Sequence, residues 1–318
     1  MELLRRLPLA NIVKDQMKNL KLFFFLSLTF FIHSCSDRKV SSGLTQFKNV
    51  SSISDFASEL WIEGNTFKGS FSDDYNTFYF FRKVAPEIEE YIPYKSNFIN
   101  GKWEAPKIMG FYDKKNSYSY QLNIPNNNKL IFISNKRTKK DTTQNPNYNF
   151  WEIELTDNKN TNPKELGYEN LIYSYNSQPC ITNNGTIFFT SDLPDWSKTL
   201  SYKMECKGDK YLEPELFEPV NHWRKIKDWT VYEFCMSPDE DYIIACIGSK
   251  NGSVNSIDLY ISYLEGEKWT IPKRLNDKIN SNKTENFPTI TNDGKYLMFT
   301  REFSEFKIIP TKLFVEKK

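Results

Sequence analysis

Histidine is nearly missing from this chain of 318 residues: only His33 and His222 occur. A metal centre or general base built on imidazole would rest on one or two side chains, so such chemistry is disfavoured. No Cys-x-x-Cys, Gly-x-Ser-x-Gly, phosphate-loop or EF-hand pattern appears, and no cofactor is expected. No apolar run is long enough to span a bilayer as a helix; the longest, Leu22 to Ile32, has 11 residues. Neither charge sign dominates. Residues 1–35 hold five Lys/Arg against two Asp/Glu, so the rest of the chain sits near −1 within a total of +2. Nucleic acid is disfavoured as a partner, because that binding needs a concentrated positive footprint.

What the chain does have is a period. Five times an apolar residue is followed by a Ser, Thr or Pro, then an Asn/Asp/Gly cluster, then an apolar run. The copies are FSDDYNTFYF from Phe71, IPNNNKLIF from Ile124, ITNNGTIFF from Ile181, MSPDEDYIIA from Met236 and ITNDGKYLMF from Ile290, spaced by 53 to 57 residues. Repeats of this length are one supersecondary unit used again and again. The pattern is a hairpin whose turn residues tolerate positive φ. Abundant aromatics, 25 Phe, 18 Tyr and 7 Trp, suit cross-strand pairing.

A third strand follows each hairpin, near Tyr91, Trp151, Leu200, Leu259 and Leu313. A short outer segment follows in turn: Gly101 to Pro106, Pro163 to Leu166, Pro214 to Leu216 and Gly266 to Pro272. Proline cannot donate to a ladder, so this segment belongs on an edge. Each unit is thus four antiparallel strands. Stacking such sheets radially buries their faces, which is the propeller solution. The expected fold is all-β: a propeller of five blades, with six as the alternative. A strand near Ser58–Ile62 is expected to complete the last blade and close the ring.

The run Pro288 to Phe299, with Asp258 to Tyr260 and Trp269 to Pro272, resembles the TolB-type, WD-like β-propeller repeat. The resemblance spans roughly residues 66–318 and is strongest in the last two units. The first unit has Asp73-Asp74 without Gly, the second lacks Asp-Gly, and the fourth has Glu240 in the Gly place. The overall plan is similar to propeller lipoproteins of Bacteroidetes-type bacteria. There is no room for the extra N-terminal domain of TolB, so that role does not transfer.

Alternation along the inner strands places one ring at Ser70, Asn123, Cys180, Cys235 and Thr289 on the axis. The next ring, expected at the channel mouth, is Lys68, Gln121, Gln178, Glu233 and Phe287, with Glu285 beyond it. This mixture of charges, amides and an aromatic suits a small polar ligand or a peptide end. The turn Asp and Asn residues are read as turn chemistry, and Trp103 and Trp269 as blade packing. Cys180, Cys206, Cys235 and Cys246 are read mainly as small buried hydrophobes. Cys180 and Cys235 occupy equivalent places on neighbouring units, at a separation expected to be too wide for a disulfide.

The 11-residue run has basic residues before it and Ser34-Cys35 after it. It resembles a signal peptide with a bacterial lipoprotein cleavage box. Residues 1–34 are the expected leader, with Met17 a plausible true start, and Cys35 is the expected lipidation site. Residues 35–54 are expected to be a tether and 55–318 a single propeller. The location so implied is the cell envelope, on the periplasmic or surface face of the outer membrane. The expected function is that of a monomeric, membrane-anchored scaffold binding a protein, peptide or glycan. The alternative is a glycosidase at the channel mouth. Hydrolysis of that kind needs a pair of carboxylates, and these rings supply Glu233 with Glu285 near it.

Overall fold

A computed structural model describes residues 43–47, 49–61, 66–85, 88–116, 118–124, 129–136, 148–155, 162–166, 175–192, 198–208, 210–249 and 257–316. The leader, Cys35 and the first part of the tether lie outside the described residues. Residues 42–318 form one compact unit.

That unit is a five-bladed β-propeller. From axis to rim, blade 1 is Thr66–Phe71, Thr77–Ala85, Ile88–Ile99 and Lys102–Trp103. Blade 2 is Tyr118–Ile124, Lys129–Ser134, Asn149–Glu154 and Lys164–Glu165. Blade 3 is Tyr175–Ile181, Ile187–Asp192, Thr199–Met204 and Glu215–Leu216. Blade 4 is Trp229–Met236, Tyr242–Ser249, Asp258–Glu265 and Lys268–Trp269. Blade 5 is Glu285–Ile290, Tyr296–Arg301, Glu305–Pro310 and, from the other end of the chain, Ser54–Asp55. Each inner strand packs on the inner strand of the next blade, and the fifth packs on the first.

Two strand placements differ from the sequence reading. The closing strand is Ser54–Asp55, paired with Ile308 and Lys307, whereas Ser58–Leu60 is a 3-10 turn. The third strand of blade 5 is Glu305–Pro310, not the segment at Leu313, which is another 3-10 turn. The hairpin before that strand turns at Glu302 and Phe303, with φ of 53° and 55°. Left-handed turns are usually written with Asn or Gly, so this one carried no sequence signature.

The repeated hairpin uses one device in four blades. Ser72, Thr182, Ser237 and Thr291 each donate their backbone N–H across the turn, to Thr77, Thr186, Tyr242 and Tyr296 respectively. Their hydroxyls bind turn carboxylates or amides, as Thr291 Oγ1 does with Asp293 Oδ1 at 2.8 Å and Thr182 Oγ1 with Asn184 Oδ1 at 2.8 Å. Three residues on from each lies a left-handed position: Tyr75, Gly185, Glu240 and Gly294, with φ from 58° to 86°. Glycine adopts this φ freely, whereas Tyr75 and Glu240 are strained there.

The core lies between blades. One cluster joins blades 3, 4 and 5, and separate ones sit between blades 1 and 2, between 2 and 3, and between 5 and 1. The long connection to blade 4 forms a short helix, Glu218–Trp223, with Trp223 and Val220 buried. Asn221 clamps it to Ser201 through both backbone groups of that residue, at 2.8 and 3.0 Å. Asn280 holds the next connection to Leu259 in the same way, at 2.7 and 3.0 Å.

The tether is shorter than expected. Gly43–Phe47 is a 3-10 turn whose Phe47 ring is buried among Phe56, Phe71, Tyr75 and Tyr296. A Cβ on Gly43 would lie 1.9 Å from the Tyr75 carbonyl oxygen, so only glycine permits this approach. Residues 43–54 therefore belong to the folded domain, because their rings complete the seam between blades 5 and 1.

Candidate functional site

Every inner strand breaks register with its neighbour at one equivalent place. The breaks fall at Phe67/Gly69, Ser119/Gln121, Ser177/Cys180, Val231/Glu233 and Asn286/Thr289. A bulge bends the strand and re-aims its side chains. In blades 3 and 5 it takes up Gln178-Pro179 and Phe287-Pro288. Gln178 and Phe287 are driven to φ of 54° and 52°. Proline has no N–H to place in a ladder, so it fits a bulge.

The bulges gather a buried polar layer. Lys68 from blade 1 and Glu233 from blade 4 are 2% and 3% exposed, and Lys68 Nζ lies 3.9 Å from Glu233 Oε2. Lys68 Nζ also donates to the Pro179 carbonyl at 3.5 Å, and the Phe287 N–H donates to Glu233 Oε1 at 2.8 Å. Four blades are thus tied across the axis. Burial pushes the Glu233 carboxyl above its ordinary value, opposed by the Lys68 charge and the Phe287 N–H.

These residues were expected to be an open mouth, and the structure corrects that. Lys68 and Glu233 are sealed inside because the bulges turn them onto each other. Gln178 is half-buried, with its Oε1 enclosed. The Phe287 ring is half-buried and meets Phe303 edge-on at 6.1 Å. Glu285 is fully buried and does not stand at a mouth. It accepts from Arg301 at 2.8 Å and from Ser281 Oγ at 2.6 Å, clamping the connection into blade 5. The side chains of Gln121 and Asn123 lie outside the described residues, although both stand in the inner strand of blade 2.

The other ring is where alternation placed it. Ser70, Cys180, Cys235 and Thr289 line one cavity of about 460 Å³, with apolar Ile181, Met236, Ile290 and Met298. The cavity opens on the side of the hairpin turns, since Ser72, Asp73, Asn183, Asn292 and Asp293 line it too. The mouth is therefore at the end opposite to the one expected. The turn residues do more than make turns. Asn292 Nδ2 donates to Asp73 at 2.7 Å, and the Tyr75 hydroxyl to Asp293 at 2.6 Å, latching blade 5 to blade 1. Asn183 donates to Asp239 at 2.9 Å, latching blade 3 to blade 4. Burial pushes the Asp293 carboxyl up, but bonds from Lys295, Tyr75 and Thr291 outweigh it and hold it below its ordinary value. The clue in the sequence was positional: Asp73, Asn183, Asp239 and Asn292 recur two or three residues past their repeat anchors.

On the cavity wall, the Thr289 hydroxyl is buried and lacks a hydrogen-bond partner among the described residues. Trp103 packs between blades as expected: it is buried in the seam between blades 5 and 1, and its Nε1 donates to Gln46 at 3.2 Å. Trp269 packs edge-on against Phe217 at 6.2 Å. His222 is exposed on the short helix. No group of three or more His, Cys, Asp or Glu that could hold a metal occurs among the described residues.

No family model matches the chain, and no curated protein does. Solved structures share the propeller fold at low identity. A gluconolactonase from Xanthomonas campestris aligns at TM-score 0.46 and 7% identity, over 77% of this chain and 72% of that one. A calcium-binding regucalcin from Agrobacterium tumefaciens aligns at 0.46 and 8%, over 84% and 96%. A chain of the mitotic checkpoint complex aligns at 0.47 and 8%, over 82% and 94%. Such likeness speaks to fold alone, because one scaffold hosts many functions.

Proposed function

We propose that this protein is a binding propeller of the cell envelope, taking a small polar ligand or the end of a peptide or glycan chain into its axial cavity. The cavity itself carries the reading: a concave space of about 460 Å³ floored by small polar and apolar side chains suits a small ligand or a chain end. The rim adds carboxylate and amide groups from Asp73, Asn183, Asn292 and Asp293. Asp293, held ionised, is suited to accept hydrogen bonds from ligand hydroxyl or ammonium groups. A glycosidase acid would need a carboxyl pushed the other way. Glu233 is pushed that way, but it pairs with Lys68 in the sealed layer and does not line the cavity.

Glycan and peptide arrays probed with wild type and Asp293→Asn test this. Removing the rim charge while keeping the shape should weaken the captured ligand about tenfold, with the fold retained. Equal binding by both proteins would move the site elsewhere. The TolB-type repeat and the envelope location belong to the same proposal. Lipid on Cys35 would hold the domain on a membrane. Fatty-acid labelling lost in Cys35→Ser would support that anchor, and labelling retained would remove it.

A further inference from the structure

The folded domain begins beside the cavity mouth. The Gly43 N–H donates to Asn76 Oδ1 at 2.6 Å, next to the hairpin turn of blade 1. The close approach of Gly43 to the Tyr75 carbonyl fixes the chain there. Phe47 then sets its ring 5.8 Å from Tyr75 and 5.5 Å from Phe71. Tyr75 and Phe71 both line the cavity. The chain therefore joins the propeller at the end where the cavity opens, and the Phe47 ring holds it in place.

Residues 36–43 are the eight steps of chain from Cys35 to this point, and fully extended they reach about 29 Å at most. A blade is nearly that tall: the eight-residue strand Trp229–Met236 rises about 26 Å. To lay the opposite end of the propeller on a membrane, the tether would have to run the full height of a blade, which uses its whole reach. With the mouth end towards the membrane it needs no such detour.

We infer that the hairpin-turn end of the propeller is its membrane-facing surface, with the axial cavity opening towards the lipid that holds Cys35. This rests on the anchor and the cavity binding proposed above, and it narrows the ligand to the polar end of a molecule borne by that same membrane. Charge sets the gap. The turns at this end carry Asp73, Asp74, Asp239, Asp241 and Asp293 at exposed places, against an exposed Lys295. Anionic headgroups repel such a face, and salt screens the repulsion beyond about 8 Å. The face is thus kept off the headgroups by less than the tether spans. The mouth stays open to a chain end standing up from the surface.

The test uses the lipidated chain in vesicles of equal parts phosphatidylcholine and phosphatidylglycerol that carry a rhodamine lipid as energy acceptor. A donor dye is placed, through an unnatural amino acid, at Glu267 or at Lys227, both exposed on blade 4. Glu267 lies at the mouth end, where the Leu264 N–H donates to the Asp241 carbonyl of the hairpin turn, and Lys227 precedes Trp229 at the other end. The two labels differ in depth by about the height of the blade, so transfer from Glu267 should exceed that from Lys227 at least about twofold. Inserting about 20 Gly/Ser residues between Ser42 and Gly43 should erase the difference, because the tether then no longer fixes the depth. Equal transfer in the unmodified chain, or greater transfer from Lys227, overturns the inference and leaves the anchor and the array result standing. A chain that does not float with the vesicles overturns the anchor and the inference together.

Discussion

Two seams of this propeller are built differently. Between blades 3 and 4 the chain is continuous. That seam is filled by Cys180, Phe188, Phe217, Phe234 and Met236 within the largest buried cluster. At the seam between blades 5 and 1, blade 5 is itself split: its outer strand, Ser54–Asp55, runs on in sequence towards blade 1 but has no turn joining it to the third strand, Glu305–Pro310. There Phe47, Phe56, Phe71, Phe78, Trp103 and Phe306 pack ring on ring, with centroids 4.9 to 6.3 Å apart. The closing strand offers only two residue pairs and an ion pair from Lys307 to Asp55. A blade whose outer strand is not tied in by a turn must be held by side chains, and aromatics give the most buried area and directional contact per residue. The seam between two unbroken blades carries thiols among its aromatics instead.

Breaking the closing seam should have the largest effect. Deleting residues 43–55 removes the outer strand of blade 5 and the Phe47 plug. Heat denaturation followed by circular dichroism should lose its single cooperative transition, whereas a surviving sharp transition would show that the other blades stand alone. Phe56→Ala should cost about 3–5 kcal/mol in chemical denaturation, because its ring meets five others in the seam. A loss below about 1 kcal/mol would mean the rings are not what holds it.

The axial layer comes next. Lys68→Met leaves Glu233 buried without its counter-charge and should destabilise by about 3 kcal/mol; adding Glu233→Met should recover most of that. A double variant as unstable as the single one would refute the pairing. Gly294→Ala should cost about 1–2 kcal/mol, since nothing crowds its Cβ and only the left-handed φ of 69° opposes a side chain. Protonating Asp293 should have the smallest effect. Its folded value lies below the ordinary 3.8, so its stabilisation is present above that pH and is lost as pH falls through the folded value. Asp293→Asn should remove the fall in stability below about pH 4 by lowering the curve slightly above it, where the charged form contributes, with the two proteins converging in acid, as read by denaturant midpoints across pH.

The repeat was legible because a hairpin is a local object. Its apolar period, its Ser/Thr hydroxyls and its Asn/Asp turns act within ten residues. Five copies of such a unit left one way to cover their faces. Alternation also placed Ser70, Cys180, Cys235 and Thr289 together, since a two-residue period survives as long as the ladder stays in register. It failed just beyond, where each inner strand carries a bulge. Pro179 and Pro288 were the visible hint, as proline in an inner strand marks a place where pairing lapses. The extent of the tether is hidden for a related reason: Phe47 looks isolated among polar residues until blades 5 and 1 meet around it.

Sequence alone determined the five-fold hairpin, the antiparallel blades and the small polar ring on the axis, all set by residues a few positions apart. Only the tertiary structure decided which end of the channel opens, that Lys68 and Glu233 neutralise each other in its interior, and that the Met236 N–H of blade 4 donates to Cys180 of blade 3. Those outcomes depend on how neighbouring blades face one another. No local pattern encodes that angle, because it emerges only when the ring closes.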